Sequence, residues 1–321
     1  MTARTPGPTA AIERPRILVI KLGALGDVVQ AGGPFAAIRR EHADAHITLL
    51  TTLSFVPLLE QSPWFDEIWI DDRPKFWQLR RWRALKQSFA GAKFQRVYDL
   101  QTSDRSGLYF RMLPQGTEWS GIVGTGALRH DNPRREFMHT VDRQIDQLAL
   151  AGILNVPFPD FRWLKADVSE FGLASPYALL VPGGSAHRRE KRWPIEHFKS
   201  LGWHLLQRGI TPVVIGGPAE AGLGRQVVRA SGSIVDLTGQ TNYAQIYQLA
   251  RDAVCAVGND TGPMHLVAAS GTPTIVLFSH ASDPGLCAPR APVHARPVTI
   301  LRRNPLSGLS VNEVEAELSL G

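Results

Sequence analysis

Residues 253–269 read Ala-Val-Cys-Ala-Val-Gly-Asn-Asp-Thr-Gly-Pro-Met-His-Leu-Val-Ala-Ala. The opening apolar run is short, as in a strand buried on both faces. The closing run reads as a helix, with Gly258-Asn259-Asp260-Thr261-Gly262 as the polar junction between them. Asp260 or Thr261 suits the N-cap and Pro263 the first turn. A helix that starts at the carboxyl end of a parallel strand aims free amides at an anion. An isolated Asp-Thr-Gly is equally a plain capped turn. What favours a ligand is a second stretch, 182–194, Pro-Gly-Gly-Ser-Ala-His-Arg-Arg-Glu-Lys-Arg-Trp-Pro. Gly183 and Gly184 let a ligand approach the backbone, Ser185 offers a hydroxyl, and Lys191 a point charge. At one sheet edge, the two stretches make a pocket for a diphosphate.

Working outward, strands and helices alternate on both sides of this junction. The first half predicts strands at 16–21, 46–51, 67–70, 96–100 and 118–123, with helices at 28–41, 53–61, 76–89 and 138–150. Prolines 157 and 159 break the pattern. It resumes with strands at 177–181, 211–215, 233–236 and 274–278, and helices at 194–208, 220–230 and 243–250. Such alternation means parallel βαβ units. The expected fold is α/β, two successive doubly wound Rossmann-like domains with a cleft between them as the default site. The boundaries expected are a disordered tail at 1–15, a first domain at 16–156, a linker at 157–174, and a second domain at 175–321. Ser310 and Glu313 form a capping box for a last short helix.

The 321 residues are 44% hydrophobic and 20% charged, with a net charge of +6, which favours an anionic partner without choosing it. Cys255 and Cys287 are too few for a disulfide framework or a cysteine-based metal site. Residues 1–15 lack the apolar core of a signal peptide, and no run is long enough to span a bilayer, so a cytoplasmic protein is expected. Neither a Walker loop nor a Gly-x-Gly-x-x-Gly is present, so no cofactor is expected. No nucleic-acid recognition motif accompanies the charge. Asp71-Asp72, at a strand end, reads as solvated, and no metal site is expected.

Four motifs occur in order: Lys-Leu-Gly-Ala-Leu-Gly-Asp-Val (21–28), Lys-Arg-Trp-Pro (191–194), Gly-Gly-Pro-Ala-Glu (216–220) and Gly-Asn-Asp-Thr-Gly-Pro-Met-His (258–265). Together they resemble glycosyltransferase family 9, the lipopolysaccharide heptosyltransferase family, over roughly residues 16–318. The resemblance implies a GT-B architecture, with acceptor on the first domain and nucleotide-sugar donor on the second. It also implies an inverting, metal-independent transfer of a sugar, a heptose in the family, from an ADP-linked donor to a lipopolysaccharide-core or related acceptor. By position, Asp27 matches the family's proposed base, Lys191 the lysine on the donor phosphates, and Glu220 a ribose contact. Asp260, Thr261, Gly262 and His265 match the donor-binding junction, and Lys21 a lysine near the acceptor. Where the family's well-known members place adjacent threonines, this chain has Ala186 and His187, with Ser185 the nearest hydroxyl.

The residues are consistent with those roles. Inverting transfer needs a base for an acceptor hydroxyl, and Asp27 follows the first strand; it also suits an N-cap of the helix expected at Val28. A lysine beside a helix N-terminus stabilises a departing diphosphate. His265, one turn into its helix, suits a packed histidine as well as a ligand contact. From Arg73 to Arg96 eight Lys or Arg occur with no acidic residue. Phe76, Leu79, Trp82, Leu85 and Phe89 fall at helical spacing. That segment reads either as a packed helix with a solvated basic side, or as a basic lid for an anionic, lipid-linked acceptor at the inner membrane surface. The resemblance favours the lid, since the family has an Arg-Arg-Trp-Arg stretch that matches Arg80, Arg81 and Arg83. Competing readings are a sugar-nucleotide epimerase of the same architecture and a non-catalytic nucleotide-sugar binder.

Overall fold

Five parallel strands form the first sheet: β1 (Arg16–Ile20), β2 (His46–Thr51), β3 (Glu67–Ile70), β4 (Arg96–Asp99) and β5 (Glu118–Ser120), in the order β3-β2-β1-β4-β5. In this computed structural model the described residues are 14–185, 187–229, 231–293 and 295–318. Most of the expected tail, residues 1–13, lies outside them, as does Ala186. Arg14 and Pro15 belong to the fold: Arg14 donates to Asp44 O and Ala45 O, and Pro15 O accepts from His46 N.

The second sheet has six strands: β6 (Tyr177–Val181), β7 (Thr211–Val214), β8 (Val235–Asp236), β9 (Cys255–Asn259), β10 (Thr274–Phe278) and β11 (Thr299–Arg302), in the order β11-β10-β9-β6-β7-β8. Every pairing in both sheets is parallel. Central β9 is buried at all five residues between β6 and β10, which is why its sequence is a continuous apolar run. β11 escaped the sequence reading because it is a four-residue, half-buried edge that follows Pro297. Strand order reverses between β1 and β4 in one sheet and between β6 and β9 in the other. Ligands of open α/β sheets bind at such switch points.

Several helices differ from expectation. The helix expected at 28–41 is two, Leu25–Gln30 and Gly32–Glu41, interrupted at Ala31. The Gly32-Gly33 pair weakens the helix there and lets the 157–161 segment press on it. A Cβ on Gly33 would lie 2.1 Å from Pro157 O. The basic helix is Leu79–Ala92, not 76–89, because a turn closed by Lys75 N donating to Gln78 Oε1 at 2.9 Å precedes it. The capping box at Ser310 and Glu313 starts the helix Val311–Ala316 as expected.

One apolar cluster runs through both halves, from Ile17 to Phe278. Phe161, fully buried, stands on the segment between the sheets. Its ring lies 5.6 Å from Trp64 of the first half and 6.3 Å from Tyr247 of the second. The connecting segment therefore packs into the joint.

Candidate active site

At the β6/β9 switch point the two stretches singled out above meet. Asn259, fully buried, donates through Nδ2 to Pro182 O at 2.9 Å and Gly183 O at 3.1 Å, and its Oδ1 accepts from Trp193 N at 2.9 Å. It ties both ends of the basic loop to the tip of β9. Its place in the motif was plain from the sequence, but this stapling role was not. Lys191 Nζ lies 2.6 Å from Asp260 Oδ2, and Ser282 Oγ donates to the same oxygen at 2.6 Å. Ser282 carried no sequence signal; it arrives on the loop after β10. Thr261 is the N-cap of Gly262–Ala269, and the first-turn amides receive no side-chain cap. Glu220 accepts from Gly184 N at 3.1 Å through Oε1 and from Gly217 N at 2.6 Å through Oε2. That approach is open only to glycine: a Cβ on Gly183 would fall 2.2 Å from Glu220 Oε1. Gly184, Lys191, Glu220, Asp260, Thr261 and Gly262 thus share one sheet edge, with Ser185 exposed beside them.

In the first half, Asp27 lies inside the first turn of Leu25–Gln30, not ahead of a helix at Val28. Its Oδ2 accepts from Ala24 N at 3.1 Å. Asp27 lines two cavities, a cleft of about 720 Å³ and a smaller one of about 180 Å³. Lys21, 4% exposed, lines the smaller one and donates to Leu100 O at 3.0 Å. Burial lowers its pKa, while Asp27 and Asp99 oppose the shift. Burial also raises the Asp99 carboxyl to about 6, against hydrogen bonds from Thr102 N, Ser106 and Gln101 N.

The basic segment is less packed than its apolar spacing suggests, and the carboxylate pair ahead of it differs from expectation. Its apolar face is buried only at Phe89, with Trp82 and Leu85 half-covered; Phe76 and Leu79 are 81% and 60% exposed. Asp71 is not solvated. It is buried, paired with Arg105 (Nε–Oδ2 2.8 Å, Nη2–Oδ1 2.9 Å), and accepts from Tyr109 Oη at 2.7 Å. Its carboxyl is held below the usual range because these bonds outweigh burial. Asp72 is exposed and pairs with Arg81 at 2.7 Å. Arg80 and Arg83 are exposed and form no ion pair among the described residues.

The two edges are joined by a helix crossing. Leu25–Gln30 packs on Gly262–Ala269: a Cβ on Gly26 would stand 2.6 Å from the His265 ring, and one on Gly262 would stand 2.8 Å from Leu25 Cβ. His265 is buried and its Nδ1 lies 3.1 Å from Gln30 Nε2. Burial lowers its pKa to about 4, although Asp260 and Asp27 both oppose the shift. Charges from both halves therefore converge on this ring. Gln30 Nε2 also reaches Cys287 O and Ala288 O, and Arg290 forms a bidentate pair with Asp142 at 2.7 Å. Among the described residues, no three His, Cys, Asp or Glu side chains gather to hold a metal ion.

The profile of glycosyltransferase family 9 (heptosyltransferase) matches residues 82–305. The chain belongs to this family. Lipopolysaccharide heptosyltransferase 2 of Escherichia coli strain K12 is 26% identical over 292 residues, 83% of each chain. Its Salmonella typhimurium counterpart is 25% identical over 291 residues, again 83% of each. Among solved structures, E. coli ADP-heptose lps heptosyltransferase II superposes with a TM-score of 0.76 at 23% identity, over 94% of this chain and 97% of that one. E. coli heptosyltransferase WaaC with ADP gives 0.71 at 20% identity, over 94% and 98%. This glycosyltransferase therefore has the GT-B architecture that its motifs implied. Among the described residues no helix is long and apolar enough to cross a membrane.

Proposed function

We propose that this family 9 glycosyltransferase moves a heptose, with inversion and without a metal, from an ADP-linked donor to a lipopolysaccharide-core or related acceptor. The observation that carries this reading is the crossing of Leu25–Gln30 with Gly262–Ala269, which brings Asp27 of one sheet edge and the Lys191–Asp260 edge of the other to the same buried ring, His265. The relatives' names support the sugar and the acceptor, and a related structure contains ADP.

In this reading residues 16–156 bind acceptor, 157–174 link, and 175–321 bind donor. Asp27 takes the proton of an acceptor hydroxyl, whose oxygen attacks the anomeric carbon opposite the diphosphate. One C–O bond forms, the bond to the diphosphate oxygen breaks, and a single displacement inverts the centre. Lys191 and the free amides at Thr261–Gly262 receive the charge that develops on the leaving diphosphate. Glu220 has acceptor sites left for ribose hydroxyls. The exposed Phe76, Trp77, Arg80 and Arg83 suit a basic segment that meets an anionic, lipid-linked acceptor at the inner membrane surface.

The test is product analysis with ADP-heptose, with and without a lipopolysaccharide-core acceptor and with and without a chelator. An inverted glycoside, formed only with acceptor and unaffected by the chelator, is expected. Epimerised donor in the absence of acceptor would replace this reading with an epimerase.

A further inference from the structure

The wall of the 180 Å³ cavity behind Asp27 holds more cations than carboxylates. Lys21, Arg135 and Arg143 face it, with Asp27 the single carboxylate in its wall. Their hydrogen bonds go to neutral groups. Lys21 Nζ donates to Leu100 O at 3.0 Å, Arg143 Nη2 to Thr140 Oγ1 at 2.9 Å, and Arg135 Nη2 to Thr102 Oγ1 at 2.7 Å. Arg135 also donates to His130 Nδ1, which leaves the Nε2 proton of that ring for Asp146. None of the three cations forms an ion pair among the described residues. Burial depresses the pKa of Lys21 and of Arg135, and Arg143 adds to both shifts; Asp27 and Asp99 oppose it at Lys21, and Glu136, Asp99 and Asp146 at Arg135.

A second, independent feature lies in the same wall. Gln144 is 4% exposed, and its Oε1 is buried without a hydrogen-bond partner. A buried carbonyl oxygen with nothing to bond costs stability unless a donor meets it, such as a hydroxyl of the bound molecule or a water beside the anion. Gln144 Nε2, Thr140 and Thr102 can add neutral donors to the three cations. The volume admits a small oxyanion with a few waters, each of which takes about 30 Å³.

We propose that this cavity binds one oxyanion, a carboxylate or a phosphate, carried by the acceptor. Anchoring that group beside Asp27 fixes which neighbouring hydroxyl faces the carboxylate. The proposal rests on the acceptor role assigned above to the first half, and it concerns residues that neither motif nor resemblance singled out, Arg135, Arg143 and Gln144.

The experiment is ligand-observed NMR of inorganic phosphate, and separately of acetate, with the whole protein saturated with ADP. Saturable binding of at least one anion is expected, weakened at least tenfold by Arg143→Gln and by Arg135→Gln, several-fold by Gln144→Leu, and unchanged by Lys199→Gln on another helix. The tighter anion tells phosphate from carboxylate. With lipopolysaccharide-core acceptor, Arg143→Gln should raise acceptor KM and leave donor KM alone. Absence of saturable binding, or binding that survives both arginine variants while Tm is unchanged, overturns the proposal. If Arg143→Gln does not fold, Arg143→Lys and Gln144→Leu carry the same comparison. ADP affinity, measured in the same samples, tests the donor reading separately.

Discussion

At the second sheet's edge Lys191 is already paired, with Asp260 at 2.6 Å, whereas Lys21, Arg135 and Arg143 at the first sheet's edge bond only to neutral groups. The second edge is closed electrostatically, with Ser282 and two backbone amides completing the bonds of Asp260 and Glu220. On the proposed reading, a diphosphate arriving there exchanges partners, taking Lys191 from Asp260. An anion arriving at the first edge displaces no carboxylate. On the function proposed above, the second edge suits a charge that comes and leaves in each turnover, and the first edge a charge that orients a substrate.

The strongest way to break the comparison is at Asp27, where the edges meet. Asp27→Asn keeps the size and the bond from Ala24 N but cannot take a proton. Turnover should fall about 10²–10⁴-fold with ADP affinity unchanged; steady-state kinetics beside calorimetry checks this. Next comes pH. The His265 pKa is about 4, below its unfolded value, so the ring's contribution is full above about 6.5 and is lost as pH falls toward 4. The loss is at most about 3 kcal/mol. Denaturation across that window should show a shallower acid limb in His265→Gln than in wild type; parallel limbs would remove the ring from the joint. His139, also depressed by burial, adds a limb of the same sign that the variant retains.

Lys191→Ala should weaken ADP by about 1.5–3 kcal/mol, as expected for a charge-assisted bond. Calorimetry reads it, and unchanged affinity would mean that the lysine serves only Asp260. Gly26→Ala forces a methyl group onto the His265 ring and should destabilise the protein by about 1–3 kcal/mol, read as a lower denaturation midpoint. Smallest is the exposed basic segment. Arg80, Arg81 and Arg83 to Ser should raise acceptor KM and weaken binding to anionic liposomes by about 1 kcal/mol per charge, less as salt rises. Arg81 should contribute least because Asp72 already holds it.

What was readable in the chain follows from period and punctuation. The apolar runs of β1, β6, β9 and β10 announce strands buried on both faces, and Gly-Asn-Asp-Thr-Gly-Pro announces the strand-to-helix junction. The resemblance of four motifs pointed to Asp27, Lys191, Glu220 and Asp260 before any contact was visible. Features made by distant partners were not readable. Asp71 looked solvated because Arg105 and Tyr109, which bury it, lie 34 and 38 residues away. Ser282 and Arg135 sit in no periodic pattern, and Arg143 and Gln144 lie on a helix that the sequence announced without marking which residues face the cavity. The break at Ala31 depends on prolines more than a hundred residues on.

The glycine crossing also limits how this enzyme can be taken apart. Gly26 packs on His265, and Gly262 on Leu25, leaving no room for a side chain at either glycine, so each half is a mould for the other. An engineer who grafts the first half onto a relative's second half, to combine one acceptor with another donor, is transplanting half of a lock. Such hybrids should work when residues 25–30 and 262–265 are inherited from the same parent, whatever the loops around the substrates look like.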